Sequence, residues 1–105
     1  MEDITISEFQ QAIEKIFGER DKKRGLSKSL NHLFEEMGEL SQDLRKGDKK
    51  KIELEFSDVL AWLATVANIS GIDLEKAAKR FISSCPRCGQ EECNCPEDNG
   101  YFDIR

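Results

Sequence analysis

The sequence predicts an all-α protein: an antiparallel helical hairpin with flanking helices, assembled into an oligomeric helical bundle and followed by a short Cys-rich C-terminal knuckle. Three observations lead there. Apolar residues step by three and four along two stretches of similar length that meet at Gly47-Asp48, the period of one helix packing on another. Only two prolines occur in 105 residues, and both lie beyond the last helical pattern. A composition of 35% charged, 38% hydrophobic and 8% aromatic residues suits a helical bundle better than a sheet sandwich. One domain of this length has little apolar area to spare, so association with a second copy adds useful burial.

The elements follow in order. Ser7, with Gln10 three residues on, forms a capping-box pattern that opens a first helix through Phe9, Ile13, Ile16 and Phe17 as far as Gly18. The charged run ERDKKRG reads as a loop ending at Gly25. Ser27 or Ser29 caps a second helix, whose seam is Leu30, Leu33, Met37, Leu40 and Leu44 and whose end is marked by Gly47. Asp48 caps a third, with Ile52, Phe56, Val59, Leu63 and Val66 facing inward until Gly71. Asp73 caps a fourth carrying Leu74, Ala77, Ala78, Phe81 and Ile82, which Pro86 shows to be over. The helical domain is placed at residues 1–84 and the Cys-rich segment at 85–105.

Charge and hydropathy narrow the function. A net charge of -5 argues against nucleic acid as a partner, since phosphate backbones are held by clustered positive charge. The longest apolar run, Val59 to Ala67, is far short of the roughly 20 residues that cross a bilayer, so no membrane partner is expected. The acidic N-terminus lacks the basic and apolar regions of a secretory signal, and a cytoplasmic location is expected. In that reducing compartment, four cysteines within eleven residues are expected to be ligands rather than bridges.

The chemistry concentrates in acids. Gly47-Asp48 is too short for anything but an antiparallel hairpin. At about 100° per residue, Glu36 and Glu39 on the second helix, and Glu55 and Asp58 on the third, fall on corresponding flanks of the two seams. Glu36 and Asp58 lie equally far from the turn, as do Glu39 and Glu55. Four carboxylates at one level, roughly 11 to 16 Å from the turn, repel one another unless protons or a divalent cation neutralise them. An all-oxygen set selects a hard ion, Mg²⁺ or Mn²⁺. Solvated helix faces are the plain alternative for any single acidic pair.

Glu35-Glu36-Met37-Gly38-Glu39, fifteen residues, then Glu55-Phe56-Ser57-Asp58 resembles the EExxE and ExxD signature of the MazG-like nucleotide pyrophosphohydrolases. This all-α superfamily also includes dimeric dUTPases and phosphoribosyl-ATP pyrophosphohydrolases. The similarity spans about residues 5 to 82 and takes in GEL, DVLAWL and GIDLE. It implies a bundle of two or more chains, a homodimer or homotetramer, with Mg²⁺ held by Glu36, Glu39, Glu55 and Asp58. It implies hydrolysis of a nucleoside triphosphate between the α and β phosphates, giving the monophosphate and pyrophosphate. The run FISSCPRCG stands where longer relatives continue the last helix with an Asn-x-Lys-Phe-type phosphate contact, so that contact is not carried over.

Such chemistry needs a base for the attacking water, and Glu35 or Glu39 is the candidate; Glu35 serves equally as an exposed ion-pair partner. Trp62, on the acidic flank, either stacks on a nucleobase or belongs to the core. His32, one turn before Glu36, either meets phosphate or is structurally idle. Lys51, four residues before Glu55, either meets the triphosphate or pairs with Glu55. Lys76 and Arg80 share one side of the fourth helix, as substrate contacts or as solvated charge.

Cys85-Pro86-Arg87-Cys88-Gly89 has the spacing of a metal knuckle, and Cys93 and Cys95 supply two further thiolates. Four cysteines saturate tetrahedral Zn²⁺, leaving no place for water, so the expected zinc is structural. Absence of metal and redox use of the CxxC remain open readings. The expected role of the knuckle is to stop the fourth helix and fold the tail from residue 96 onward against the bundle or a neighbouring subunit. The rival to an enzyme is a non-catalytic, zinc-stapled helical interaction module.

Overall fold

A computed structural model of the protein describes residues 2–96; the expected docking of the tail falls mostly outside them. Among the described residues the chain is helical and has no strand. The elements are α1 (Ile6–Arg24), α2 (Leu26–Lys46), α3 (Lys49–Ser70) and the short α4 (Leu74–Ala78), which tightens into a 3₁₀ turn over Lys79–Phe81. The chain divides into two compact units, Met1–Leu74 and Glu75–Arg105.

In the first unit α2 and α3 form the main antiparallel contact, and α1 packs chiefly on α3. Gly47 makes the hairpin possible: at φ 79° it ends α2 in the left-handed region and donates its N–H to the Asp43 carbonyl, a conformation that suits glycine. Asp48 then starts α3, its carboxylate accepting the N–H groups of Lys50 and Lys51 at 3.1 and 3.4 Å. Two of the first turn's orphan donors are thereby satisfied.

The first helix corrects two expectations. Its cap is Thr5, whose hydroxyl accepts the Glu8 N–H while the Glu8 carboxylate accepts the Thr5 N–H; Ser7 and Gln10 are not the box. The helix also passes through Gly18 to Arg24, so ERDKKR is helix and not loop. One glycine costs a helix only about 1 kcal/mol, and tertiary contacts of the last turn outweigh it. Asp21, 3% exposed, accepts hydrogen bonds from Arg24 Nη1 at 2.8 Å and Thr65 Oγ1 at 2.9 Å, joining α1 to α3. Gly25 (φ 84°, ψ 170°) ends α1 and starts α2 in one residue, using backbone geometry open essentially to glycine alone. Neither Ser27 nor Ser29 caps α2 by its side chain; Ser29 is buried and its hydroxyl donates to the Gly25 carbonyl at 2.8 Å.

Gln10 latches the far end. Its Nε2 donates to Asn68 Oδ1 and the Ile72 carbonyl at 2.9 and 2.7 Å, and its Oε1 accepts the Leu74 N–H at 2.9 Å. The fully apolar core is small: Ile13, Leu33, Ala64 and Ala67. Of the seams read as inward-facing, Leu33 is buried and Leu40, Ile52, Val59 and Val66 are half-buried, but Leu30, Met37, Leu44, Phe56 and Leu63 are exposed. The single chain therefore leaves about half of its helix-packing stripe open to solvent. The fourth helix is also shorter than its pattern, with Phe81 in the 3₁₀ turn and Ile82 past it, both exposed.

Thr65→Val keeps the shape but removes the donor to a buried carboxylate oxygen. A loss of about 1–3 kcal/mol is expected, read as a lower urea midpoint at fixed protein concentration. Ser41→Ala, whose hydroxyl only meets Arg45 on the surface at 3.5 Å, should change stability by less than about 0.5 kcal/mol.

Candidate metal centre and its surroundings

The hairpin brings Glu36 and Glu39 of α2 to Glu55 of α3, each offering an oxygen within 4.8 Å of the other two. Asp58 is not part of that trio, but its charge reaches both Glu39 and Glu55. Glu36 and Glu55 are half-buried and Glu39 is exposed. Oε1 of Glu36 and Oε1 of Glu55 are shielded from solvent and have no hydrogen-bond donor, an arrangement that is costly for ionised carboxylates.

The titration directions express this. Glu55 is raised above the ordinary glutamate value, first by burial and then by the hydrogen bond and charge of Glu36, a proton on one carboxyl being able to bridge to the other. Glu39 is raised as well, foremost by the charge of Glu55. Asp43 adds to both shifts. It escaped the sequence reading although Glu36, Glu39 and Asp43 fall at helical steps of three and four, which was the available signal. A hard divalent cation fits this site: the donors are all carboxylate oxygens, and two of them lack any other partner.

A chain of contacts borders the acids. Glu35 is not among the converging carboxylates; its Oε1 lies 3.2 Å from His32 Nδ1. The His32 ring stacks on Trp62 at 4.6 Å between centroids, with 17° between planes. The Arg24 guanidinium lies 4.7 Å from the Trp62 ring centroid while also bonding Asp21. Trp62 is thus a half-buried platform with its partners in place. A cavity of about 260 Å³ opens beside it, lined by Arg20, Arg24, Asp58 and Trp62 among others. Arg20 and Arg24 are not among the site residues the sequence singles out, because the charged run they lie in predicts a loop. The steps Ile13, Phe17, Asp21 and Arg24 continue the helical stripe and were the clue.

Lys51 gives its backbone N–H to Asp48, and its side chain is exposed. Among the described residues no ion pair joins it to Glu55. Arg80, in the second unit, stacks on Phe81 at 4.9 Å. Lys76 lies in that unit too. The four cysteines there are free thiols whose sulfurs lie within 4.8 Å of one another. The backbone N–H groups of Cys88 and Arg87 lower the Cys85 thiol to about 6, and those of Asn94 and Gln90 lower Cys88. Cys95 is pushed up to about 12, first by its hydrogen bond with Cys93.

Among the described residues the fold is all-helical, and two antiparallel helices bring together three glutamates, two of them with partnerless oxygens, an arrangement into which a hard cation fits. The chain belongs to the MazG nucleotide pyrophosphohydrolase family, whose domain description matches residues 24–87, more than half of its length. Enzymes of this family work with a divalent metal. Among curated proteins, none matches the chain. No helix of the described residues is long and apolar enough to cross a membrane.

Both glutamate shifts are upward, so the folded protein holds these protons more tightly than the unfolded chain does. The repulsion is felt in full above the raised values, eases as pH falls through them, and is gone below the ordinary 4.5. Glu55→Gln removes the central charge. In metal-free buffer the variant should have the higher urea midpoint at neutral pH, and its lead over the wild type should shrink as the buffer is acidified.

Proposed function

We propose that the protein is a Mg²⁺-dependent nucleoside triphosphate pyrophosphohydrolase, converting (d)NTP and water into (d)NMP and pyrophosphate. The observation that carries this reading is the meeting of Glu36, Glu39 and Glu55 within 4.8 Å, with two shielded oxygens lacking a donor, in a chain of the MazG family. When bound, Mg²⁺ or Mn²⁺ supplies charge neutralisation at the phosphates and Lewis acidity toward the bond being broken.

The side chains do the remaining work. Glu36 and Glu55, each with a shielded oxygen, hold the ion together with Glu39, and Asp58 completes the acidic rim from α3. Glu39, the exposed member of the trio, takes the proton of the attacking water. Glu35 is the second candidate for that proton and also fixes His32, through their 3.2 Å contact. Arg20 and Arg24 line the cavity together with Asp21 and Asp58; Arg24 is paired with Asp21, which leaves Arg20 as the guanidinium to meet phosphate oxygens. The His32–Trp62 stack supports base recognition: the Trp62 face already accepts a flat ring, and a nucleobase stacks there in place of His32. Lys51, exposed one turn before Glu55, approaches the triphosphate from solvent. A second copy of the chain covers the exposed apolar stripe of the hairpin, including Leu30, Phe34, Met37, Phe56 and Leu63.

A pyrophosphate-release assay across the ribo- and deoxynucleoside triphosphates with Mg²⁺ tests the reading. Turnover of at least one triphosphate to monophosphate and pyrophosphate is expected, with Glu55→Gln lowering kcat/KM by about 100-fold or more. Trp62→Ala is expected to act mainly through KM. Release of orthophosphate in place of pyrophosphate would overturn the cleavage position. No turnover with any triphosphate would leave the interaction-module reading in its place.

A further inference from the structure

The cysteine cluster is the feature that the acidic site does not absorb, and three of its four members lie beyond the stretch matched to the family, which ends at residue 87. Among its described residues, the unit that holds the cluster has no core of its own. Among the described residues from Glu75 onward none is buried, and the large apolar side chains Phe81 and Ile82 are 54% and 78% exposed. So small a unit lacks the apolar burial that offsets chain entropy, and units of this size depend on disulfides, metals or partners.

What is organised in it is the surroundings of the sulfurs. Gly89, at φ 78°, turns the CPRCG loop so that its N–H reaches the Cys85 carbonyl at 2.8 Å, and the Cys85 N–H meets the Gln90 carbonyl at 2.8 Å. Backbone N–H groups of Arg87, Asn94 and Cys95 point at the sulfurs of Cys85, Cys88 and Cys93, each at 3.4 Å. Donors aimed at sulfur stabilise the thiolate form that a metal ion takes as its ligand, and four sulfurs gathered this closely can share one cation. The Cys85 and Cys95 sulfurs are 3.8 Å apart. Tetrahedral zinc with Zn–S bonds of about 2.3 Å sets its sulfurs roughly 3.8 Å apart.

We propose that Cys85, Cys88, Cys93 and Cys95 bind one Zn²⁺ per chain in a closed, structural site, and that this ion supplies the folding energy of the C-terminal unit. Four thiolates leave no coordination position for water or substrate. Loading releases the thiol protons that remain, so metal binding and folding of the unit are one pH-dependent event. The acidic trio offers only oxygen and the knuckle only sulfur, so the two sites select different ions from the same solution.

The full-length chain, purified under reducing conditions, should hold one zinc per chain by elemental analysis, and Co²⁺ exchanged into it should show the intense visible absorption of a tetrahedral thiolate site. Glu55→Gln should keep the zinc and Cys88→Ser should lose it. Should Cys88→Ser fail to accumulate, wild-type protein gives the same answer. Its four thiols should resist alkylation until a strong chelator is added, and chelation should open residues 75–96 to protease while α1 to α3 stay intact. The proposal is overturned if the folded, reduced chain lacks zinc, if the thiols alkylate equally fast with and without chelator, or if Glu55→Gln is the variant that loses the ion. None of these readouts depends on nucleotide turnover, so this proposal and the hydrolase reading stand or fall separately.

Discussion

Carboxylates that repel one another, held together by helices too rigid to let them part, are the constraint around which the helical unit is arranged. Glu36 and Glu55 each keep an oxygen out of water with nothing to bond it, and both the raised glutamates owe part of their shift to Asp58 and Asp43 further along the same helices. A more flexible scaffold would relieve such strain by splaying the side chains. Here the one-residue link at Gly25 and the tight turn at Gly47-Asp48 fix the ends of α2, and the antiparallel contact with α3 fixes its middle. The arrangement is unfavourable for ionised carboxylates and is eased by protons, as the upward shifts of Glu39 and Glu55 express.

Polar contacts tie α1 to α3 and to the segment that follows it. Gln10 bonds Asn68, the Ile72 carbonyl and the Leu74 N–H at one end, and Asp21 takes bonds from Thr65 and Arg24 at the other. With Ile13, Leu33, Ala64 and Ala67 the buried apolar side chains among the described residues, such directional contacts help fix how α1 sits. They also feed the site. From Asp21 the path runs through Arg24 to the face of Trp62, to His32 and on to Glu35, so a buried α1 carboxylate and an exposed α2 carboxylate next to the acidic trio are linked by successive contacts.

The carboxylate trio and the cysteine cluster follow opposite chemical logics within one chain. The first gathers hard oxygen donors on long helices, where packing of the hairpin sets their spacing. The second gathers soft sulfur donors on a loop with no buried residue, where spacing is set by Gly89 and by N–H groups aimed at sulfur.

The sequence by itself determined what depends on local periodicity: the hairpin at Gly47-Asp48, the start of α3 at Asp48, the seams' rhythm, and the level at which Glu39 and Glu55 meet, but not the place of Glu36, which was expected opposite Asp58 and instead joins Glu55 while Asp58 stays outside the trio. What it determined follows from helix geometry alone, because residues equally far from a tight antiparallel turn end up side by side. Tertiary structure decided the rest. α1 continues past Gly18 because Asp21 finds Thr65, a partner 44 residues away that no local window contains. Half the seam stays exposed because heptad spacing states which residues share a face and not whether anything covers it. Arg20 and Arg24 came to line a cavity with Trp62 and Asp58 only once that charged run proved helical, since a charged residue's surroundings depend on what packs against it rather than on its neighbours in the chain.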